Sequence, residues 1–185
     1  MFSRLIINEN NYPRILTYIN AKLFQLCFSL RKDIINYRDI DLILFFNCDI
    51  ICFVINIYSN NQQIALKYLK DVEVNLNNIL IMVGDFNIRD NDWDPSYPHH
   101  STHADTLREI TDSFNLEIFM FINQIPTRYA DNTSKSNLVI DLMFIWANSE
   151  ELNTHTILLD LQTLSDHVSL MINIIVKEKF IQDEQ

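Results

Sequence analysis

The chain contains a single glycine, Gly84, among its 185 residues. Glycine adopts left-handed backbone conformations most readily, and Asn and Asp tolerate them next best, so the turns of this chain must be built mainly from Asn and Asp. The glycine stands in ILIMVGDFNIRD (residues 79–90), directly before Asp85 and close to Asn87. We expect it to let the backbone turn there while Asp85 and Asn87 face the same side.

Length and composition indicate one folded domain. Hydrophobic residues make up 48% of the chain and charged residues 21%, which is typical of globular proteins. The chain has no internal repeats, low-complexity tracts or linkers, so residues 1–185 are predicted to form one domain with a substantial core. The net charge of −10 argues against a broad basic face that grips nucleic acid unaided. A carboxylate pocket filled by a divalent cation would reverse that sign locally.

The cysteines and the apolar segments bear on the compartment. The three cysteines form no CxxC pair and are odd in number, which favours a reducing intracellular compartment, nuclear or cytoplasmic, over a disulfide framework. The N-terminal sequence MFSRLIINENNYPR lacks the apolar core and the cleavage site of a signal peptide. The most apolar region, residues 42–58, is interrupted by polar residues and is too short to cross a membrane. We therefore expect neither a signal peptide nor a membrane-spanning segment.

Short apolar runs alternate with polar segments along the chain. Runs rich in β-branched and aromatic residues predict strands over residues 14–20, 42–46, 50–58, 79–83, 117–122, 138–146, 154–160 and 167–176. Helical spacing of apolar residues predicts one helix within residues 62–76, and a capping box at residues 102–105 predicts a second that continues to Phe114. There are too many strands for a simple doubly wound sheet, so two packed sheets with helices outside are the expected architecture.

Two polar residues follow the strand predicted over residues 79–83. Asp85 and Asn87 lie two apart, so on an extended backbone both side chains point to the same side. A carboxylate beside an amide suits the binding of a water molecule or a phosphate oxygen. The alternative is that the pair caps a loop through Asx turns.

Two further clusters carry ionisable side chains next to strands. Asp141 lies in the middle of an apolar strand, where an unpaired carboxylate is costly, so it needs a partner. The partner is either an Arg or Lys, or a histidine whose tautomer the carboxylate fixes. Asp166 and His167 precede the last strand. Together with Asp85 and Asn87, these clusters offer carboxylates for a divalent ion, a base for water and donors for a phosphate, as metal-assisted phosphodiester hydrolysis requires.

Two other candidate metal sites fail on spacing. Residues 90–94 have the alternating acids of a calcium loop, but Pro95 stands where an EF-hand has glycine and Ser101 where it has glutamate. The histidines at positions 99, 100 and 103 have no cysteine or further histidine nearby at zinc-ligand spacing. A role in a loop and at the start of the following helix is favoured for these histidines.

Three motifs in a fixed order point to a known family: GDFN (84–87), VIDLMF (139–144) and SDH (165–167). In this order and with these strand contexts they resemble the endonuclease/exonuclease/phosphatase superfamily of deoxyribonuclease I-like enzymes. The resemblance is tighter to the endonuclease domain of non-LTR (LINE-type) retrotransposons, and it extends over residues 13–176. The further matching segments are Trp93-Asp94-Pro95, Pro126-Thr127-Arg128, Ser136 through Leu142, and INIYSNN (55–61) with its Tyr58.

The resemblance implies a four-layer α/β/β/α sandwich of two mixed sheets, and a Mg²⁺- or Mn²⁺-dependent endonuclease that nicks DNA for retrotransposition. Asp85 would orient or deprotonate the attacking water, and Asn87 would bind the phosphate. His167, held by Asp141, would stabilise the scissile phosphate, and Tyr58 would support the transition state or the leaving group. The other implied roles are cation binding by Asp166 together with Asp85, and DNA contacts by Thr127 and Ser136.

The N-terminal part departs from the family pattern. The family opens with two strands that carry an asparagine and a Gln-Glu pair, whose glutamate is the principal metal ligand, and no Gln-Glu pair occurs before Gly84. The resemblance therefore implies a sandwich that is truncated at its N-terminus. Two alternative functions stay open. One is a catalytically weak or inactive remnant that acts at most as a binding module, and the other is a phosphoesterase of the same superfamily with another substrate, such as an inositol phosphate or a poly(A) tail.

Overall fold

Ten strands and two helices make up the regular structure of the described part of the chain. This part, seen in a computed structural model, comprises residues 2–4, 15, 17–20, 27–46, 51–72, 78–119, 126–130, 136–147, 153–159, 167 and 169–175. The first five strands are β1 (Phe2–Arg4), β2 (Tyr18–Asn20), β3 (Cys27–Leu30), β4 (Ile40–Phe46) and β5 (Ile51–Tyr58). The elements that follow are α1 (Ile64–Asp71), β6 (Ile79–Asp85), α2 (Thr102–Ser113), β7 (Leu116–Ile118), β8 (Asp141–Trp146), β9 (Asn153–Leu159) and β10 (Ser169–Ile175). Neither described helix is long and apolar enough to cross a membrane.

Six of the strands form one mixed sheet in the order β3-β4-β5-β6-β8-β7. Strands β5 and β6 run parallel, with α1 in the connection between them, and the other neighbours in this sheet are antiparallel. The remaining described strands form two antiparallel pairs, β1 with β2 and β9 with β10. The predicted α/β fold is confirmed.

The two faces of the six-stranded sheet contact different surroundings. Alternate residues of its central strands share a core cluster with apolar residues of α1 and α2, so the helices cover one face. Members of this cluster include Leu42, Ile55, Ile57, Met82 and Leu142 from the sheet and Leu66, Leu69, Leu107 and Ile110 from the helices. The intervening residues point to the opposite face, where a second, smaller cluster includes Ile81 and Met143, with Val54 and Val83 packed against it. On this second face, polar Asp85 follows Val83 at the end of β6.

Gly84 lies inside β6, paired with Ile57 of β5 and with Leu142 of β8. A Cβ atom at this position would lie 1.8 Å from the carbonyl oxygen of Ile57, so a side chain does not fit between the two strands. The expectation that the glycine serves a turn is therefore wrong, because the close approach of two backbones sets the requirement. The turn comes later, at Asn87, whose φ is 50°.

Asparagine supplies most of the left-handed backbone positions in the described residues. Besides Asn87, the non-glycine residues with positive φ are Asn78 at 77°, Asn115 at 54° and Gln63 at 56°. Asparagine tolerates this region because its short side chain forms local hydrogen bonds. The expectation that Asn and Asp replace glycine in the turns is confirmed for Asn, whereas no Asp has a positive φ among the described residues.

Several element boundaries differ from the sequence prediction, and strands β1 and β3 were not predicted. Three of the differences concern the two helices and the strand that carries Asp141. Helix α1 ends at Asp71, because Val72 has an extended backbone. Helix α2 is capped by Ser101, one residue earlier than predicted, and the Ser101 Oγ accepts a hydrogen bond from the backbone N of His103 at 3.3 Å. Strand β8 begins at Asp141, so this carboxylate stands at the first residue of the strand and not in its middle. The parts of the predicted strands that lie outside the described residues are 14, 16, 50, 120–122, 160, 168 and 176.

Candidate active site

A row of three polar residues crosses the middle of the sheet where its strands end. Asp85, the last residue of β6, pairs with Tyr58 of β5 on one side and with Asp141 of β8 on the other. Directly paired residues project to the same face of a sheet, so the three side chains share one surface. The register of three adjacent strands thus brings together residues from distant parts of the sequence.

Asp85 and Asn87 meet through a turn that follows β6. The Asp85 Oδ1 accepts a hydrogen bond from the backbone N of Asn87 at 3.0 Å, which is an Asx turn. The Asn87 Nδ2 donates to the carbonyl oxygen of Ser59 at 2.9 Å, and the Asn87 side chain also supports the charged Asp85 through a hydrogen bond. The expectation of an extended backbone at this pair is wrong, because the strand has already ended. The turn brings the amide beside the carboxylate all the same.

Asp141 has a histidine as its partner. The Nδ1 of His167 lies 2.9 Å from Oδ2 and 3.2 Å from Oδ1 of Asp141. The hydroxyl oxygen of Thr127, a buried residue, accepts hydrogen bonds from the backbone N atoms of Ile140 at 3.0 Å and Asp141 at 2.9 Å. Arg128 pairs through its backbone with both His167 and Leu138, the latter three residues before Asp141, which joins the two segments. Of the two partners considered for Asp141, the structure supplies the histidine.

The site contains two carboxyl groups whose charged forms are disfavoured. Burial and, after it, the negative charge of Asp141 together raise the pKa of Asp85 to about 6, against the opposing effects of His167 and of the hydrogen bonds from Asn87. Burial also raises the pKa of Asp141, opposed by His167, Thr127 and Arg128. Two carboxylates that are costly to ionise together create a place where a cation is favoured.

Asp85, Asp141 and His167 form the one cluster of three potential metal ligands found within the described residues. Their ligand atoms all lie within 4.8 Å of one another. Carboxylate oxygens are the ligands that Mg²⁺ prefers, and an imidazole is also accepted by Mn²⁺ and other transition metals. The donor set and its unfavourable negative charge fit a divalent cation. Asp166, the other predicted metal ligand, lies outside the described residues.

The other two predicted DNA-contacting residues occupy different environments. Ser136 is exposed, and its Oγ lies 3.4 Å from Nη1 of Arg89. Thr127 is 2% exposed, and its hydroxyl oxygen accepts hydrogen bonds from the backbone at the start of β8. The structure gives Thr127 a local role in holding Asp141, and its contact with DNA stays a prediction.

Ser59 and Gln63 support the turn that carries Asn87, and no role was predicted for either of them. Both residues are buried, and the Ser59 hydroxyl donates to Oε1 of Gln63 at 2.6 Å. The Nε2 of Gln63 donates to the carbonyl oxygen of Phe86 at 3.2 Å, while the Ser59 carbonyl accepts from Asn87. These contacts fix the turn that carries Asn87. They depend on the β5–β6 pairing, which a local pattern in the YSNNQQ segment does not reveal.

The acidic segment after the site is an ordered loop. Buried Asp90 accepts hydrogen bonds from the backbone N atoms of Asp92 at 3.1 Å and Ser101 at 2.8 Å, and from Nη2 of Arg108 at 2.7 Å. His100 contacts the same carboxylate, with its Nδ1 3.1 Å from Oδ2 of Asp90. These contacts tie the loop to the start of α2. They agree with the predicted role of this segment in a loop and at a helix start.

The comparison with known families decides the classification of the chain. The model of a family described as endonuclease-reverse transcriptase matches residues 52–171, which is more than half of the 185 residues. The chain belongs to this family. The matched region includes Tyr58, Asp85, Asn87, Asp141 and His167, and membership places the chain among nuclease-type phosphodiester hydrolases. The resemblance stated from the motifs is confirmed.

A solved structure supports the fold. The endonuclease domain of TRAS1, a telomere-specific non-LTR retrotransposon, superimposes on the endonuclease-reverse transcriptase family member described here with a TM-score of 0.62. The similarity covers 80% of this chain and 67% of the TRAS1 chain at 16% sequence identity, so it is a similarity of fold. A search of curated protein sequences gave no significant match.

Proposed function

We propose that this chain is a metal-dependent phosphodiester hydrolase that nicks DNA. The observation that carries the proposal is the cluster of Asp85, Asp141 and His167, whose ligand atoms lie within 4.8 Å of one another at the ends of adjacent strands. Carboxylates, an imidazole and a neighbouring amide on one surface are the groups that activate water and bind a phosphate. Membership in the endonuclease-reverse transcriptase family supports DNA as the substrate.

Asp85 is the group proposed to activate the attacking water. Its pKa of about 6 lies close to neutral pH, where a general base is both deprotonated and basic enough to accept a proton. The carboxylate would receive the proton of a water molecule held on the shared face of the sheet. Asn87 would bind a phosphate oxygen through the Nδ2 hydrogen that supports Asp85 in the absence of substrate, while the other Nδ2 hydrogen stays on the Ser59 carbonyl and fixes the orientation of the amide.

His167 is proposed to stabilise the scissile phosphate. The contact of its Nδ1 with Asp141 at 2.9 Å sets the orientation of the ring, and Nε2 is the ring atom proposed to contact the phosphate. Asp141 would also stabilise the positive charge of the ring when Nε2 donates to the phosphate. Tyr58 stands beside Asp85 in the strand register and is proposed to support the leaving group.

A divalent cation, Mg²⁺ or Mn²⁺, would supply Lewis-acid stabilisation of the phosphate charge. Asp85 is proposed as one of its ligands, with Asp166 as the other. The unfavourable charge of Asp85 next to Asp141 is the observation that supports this assignment. The requirement for a cation follows from the same observation, because two neighbouring carboxylates would otherwise repel a phosphate.

Nicking of supercoiled plasmid in Mg²⁺ or Mn²⁺ tests the proposal. We expect the wild-type chain to convert plasmid to the open circular form, and Asp85→Ala and His167→Ala each to lower the rate by about 10²–10⁴-fold. Lys70→Ala, an exposed change on α1, is the control and should leave the rate unchanged. Absence of nicking with every divalent ion would contradict the enzymatic proposal. Calorimetric titration would then identify a non-catalytic remnant if the chain also fails to bind cations.

A further inference from the structure

Arg89 is held in a fixed orientation just beyond the candidate site. Its Nε donates to Oδ2 of the buried Asp94 at 3.0 Å. Its guanidinium group lies over the ring of Tyr97, 4.5 Å from the ring centroid. Tyr97 in turn contacts His99 edge-on, with ring centroids 5.4 Å apart. An ion pair at one edge and an aromatic ring on one face leave the guanidinium little freedom to reorient.

The outer edge of the guanidinium has weak partners. Nη1 lies 3.4 Å from Oγ of Ser136 and Nη2 lies 3.3 Å from Oγ of Ser96, and both serines are exposed. Charge-assisted hydrogen bonds from arginine to an anionic oxygen are shorter, about 2.7–2.9 Å, and roughly twice as strong as neutral ones. The Ser96 hydroxyl already donates to Asp94, whereas the Ser136 hydroxyl can rotate towards a ligand. An anionic oxygen at this edge would gain donors from both Arg89 and Ser136.

Arg89 and Ser136 lie on the same chain segments as Asp85 and Asp141, and therefore near the expected position of the scissile phosphate. Arg89 follows Asp85 by four residues, so the two lie at most about 14 Å apart along the backbone. Ser136 precedes Asp141 by five residues on the segment that runs beside it, and the backbone N of Phe86 donates to Ile140 O at 3.0 Å. The two segments that carry the site therefore also carry Arg89 and Ser136.

The negative charge of the surrounding loop is neutralised locally. Arg108 contacts both Asp90 and Asp92, while Asp94 is paired with Arg89 and shielded from solvent. The whole chain has a net charge of −10, but the three carboxylates of this loop each have an arginine partner. Because exposed charges are screened within about 10 Å at moderate salt, these local partners decide whether an anion approaches.

We propose that Arg89 and Ser136 form a binding site for a DNA backbone phosphate that flanks the scissile one. Arg89 supplies a forked pair of donors, Ser136 supplies a hydroxyl, and Asp94 and Tyr97 are the positioning residues that hold the fork. The site binds a phosphate of the substrate strand without contacting the reacting atoms. This inference rests on the proposed function, because it takes DNA as the substrate.

Binding of a fluorescently labelled DNA duplex in EDTA, where no strand is cut, tests the inference. We expect Arg89→Gln to weaken DNA binding about fivefold to tenfold. We also expect the steepness with which log K falls with log salt concentration to decrease by about one. Ser136→Ala should weaken binding about twofold to threefold with an unchanged slope. Lys70→Gln removes an equal charge from α1, on the helix-covered side of the sheet, and should change neither quantity.

A scan with single methylphosphonate linkages locates the contact. Neutralising one flanking phosphate should weaken DNA binding by the wild-type chain. The same linkage should leave the DNA affinity of Arg89→Gln unchanged, because this variant has already lost the contact. Ser136→Ala guards against misfolding, because it removes only an exposed hydroxyl, whereas Arg89→Gln also deprives buried Asp94 of its cation. Wild-type binding with both variants unchanged would overturn this inference alone. A wild-type chain that neither binds DNA in EDTA nor nicks plasmid in Mg²⁺ or Mn²⁺ would overturn the proposed function together with it.

Discussion

The carboxylate of Asp141 holds Nδ1 of His167 at 2.9 Å, although the two residues stand 26 positions apart and on different segments. Asp141 is placed by β8 and by the Thr127 hydroxyl, and His167 by its backbone pairing with Arg128. The pairing of three segments is therefore required before the imidazole has a defined orientation. An exposed imidazole without such a partner would sample several rotamers and both tautomers.

Asp141→Asn should lower the nicking rate by about 10²–10⁴-fold with little change in KM, because an amide no longer fixes the tautomer and charge of His167. The measurement is steady-state nicking of plasmid at several DNA concentrations. Asp105→Asn is a matched control, since Asp105 contacts His100 at 2.9 Å on the surface, and it should leave the rate unchanged. Equal rates for Asp141→Asn and the wild type would remove the Asp–His pair from the mechanism.

Gly84→Ala should destabilise the protein by at least about 3 kcal/mol, because the added methyl group meets the Ile57 carbonyl oxygen at 1.8 Å and the backbone must shift. Urea unfolding followed by circular dichroism measures the loss. Glu117→Ala, an exposed change in strand β7, is the control and should alter stability by less than about 0.5 kcal/mol. A stable Gly84→Ala protein would mean that β5 and β6 do not approach as closely as described.

The central strands and the principal site residues could be predicted from the sequence for physical reasons. Continuous apolar runs such as residues 79–83 indicate buried strands, and polar residues that follow a strand mark its end. Asp85 and Asn87 were visible for this reason. Of the two explanations offered for their proximity, strand alternation is wrong, and the Asx turn named as the alternative is observed at a left-handed asparagine.

The Asp141–His167 pair was implied by the resemblance, but the other partners of the site residues could not be predicted because they depend on register. Whether Asp85 lies opposite Asp141 or one residue away is decided by long-range strand pairing, which changes the face of every side chain when it slips by one. The same holds for Ser59 and Gln63, whose hydrogen bonds reach across β5 and β6. Thr127 was recognised as part of a motif, but its burial and its bonds to the backbone required the structure.

Asp85 should make stability fall as the pH rises from about 4 to about 6. Its folded-state pKa of about 6 lies above its ordinary value of 3.8, so the folded state holds the proton that the unfolded state releases in this window. Asp85→Asn, which carries no charge, should match the wild-type melting temperature near pH 4 and exceed it above pH 7. Thermal unfolding in EDTA across this range measures the difference. A difference that is constant with pH would contradict the raised pKa.

Binding of Mn²⁺ near pH 6 should release a proton from Asp85. A cation beside the carboxylate favours its charged form, and at this pH the raised pKa leaves about half of the Asp85 side chains protonated. Calorimetric titration in two buffers of different ionisation enthalpy counts the released protons. Release of up to about half a proton is expected for the wild type and none for Asp85→Asn. Tight binding without proton release would place the cation away from Asp85.

Thr127→Val should cost about 2 kcal/mol of stability and lower the nicking rate, because two backbone N–H groups in front of β8 lose their acceptor. Thr127→Ser keeps the hydroxyl and should retain most of both. The kinetic constants separate this structural role from the predicted DNA contact. A lower kcat with unchanged KM follows if Thr127 acts by holding Asp141, whereas a raised KM with unchanged kcat indicates a direct contact with the DNA strand. Chemical denaturation and plasmid nicking on the same three proteins make the comparison.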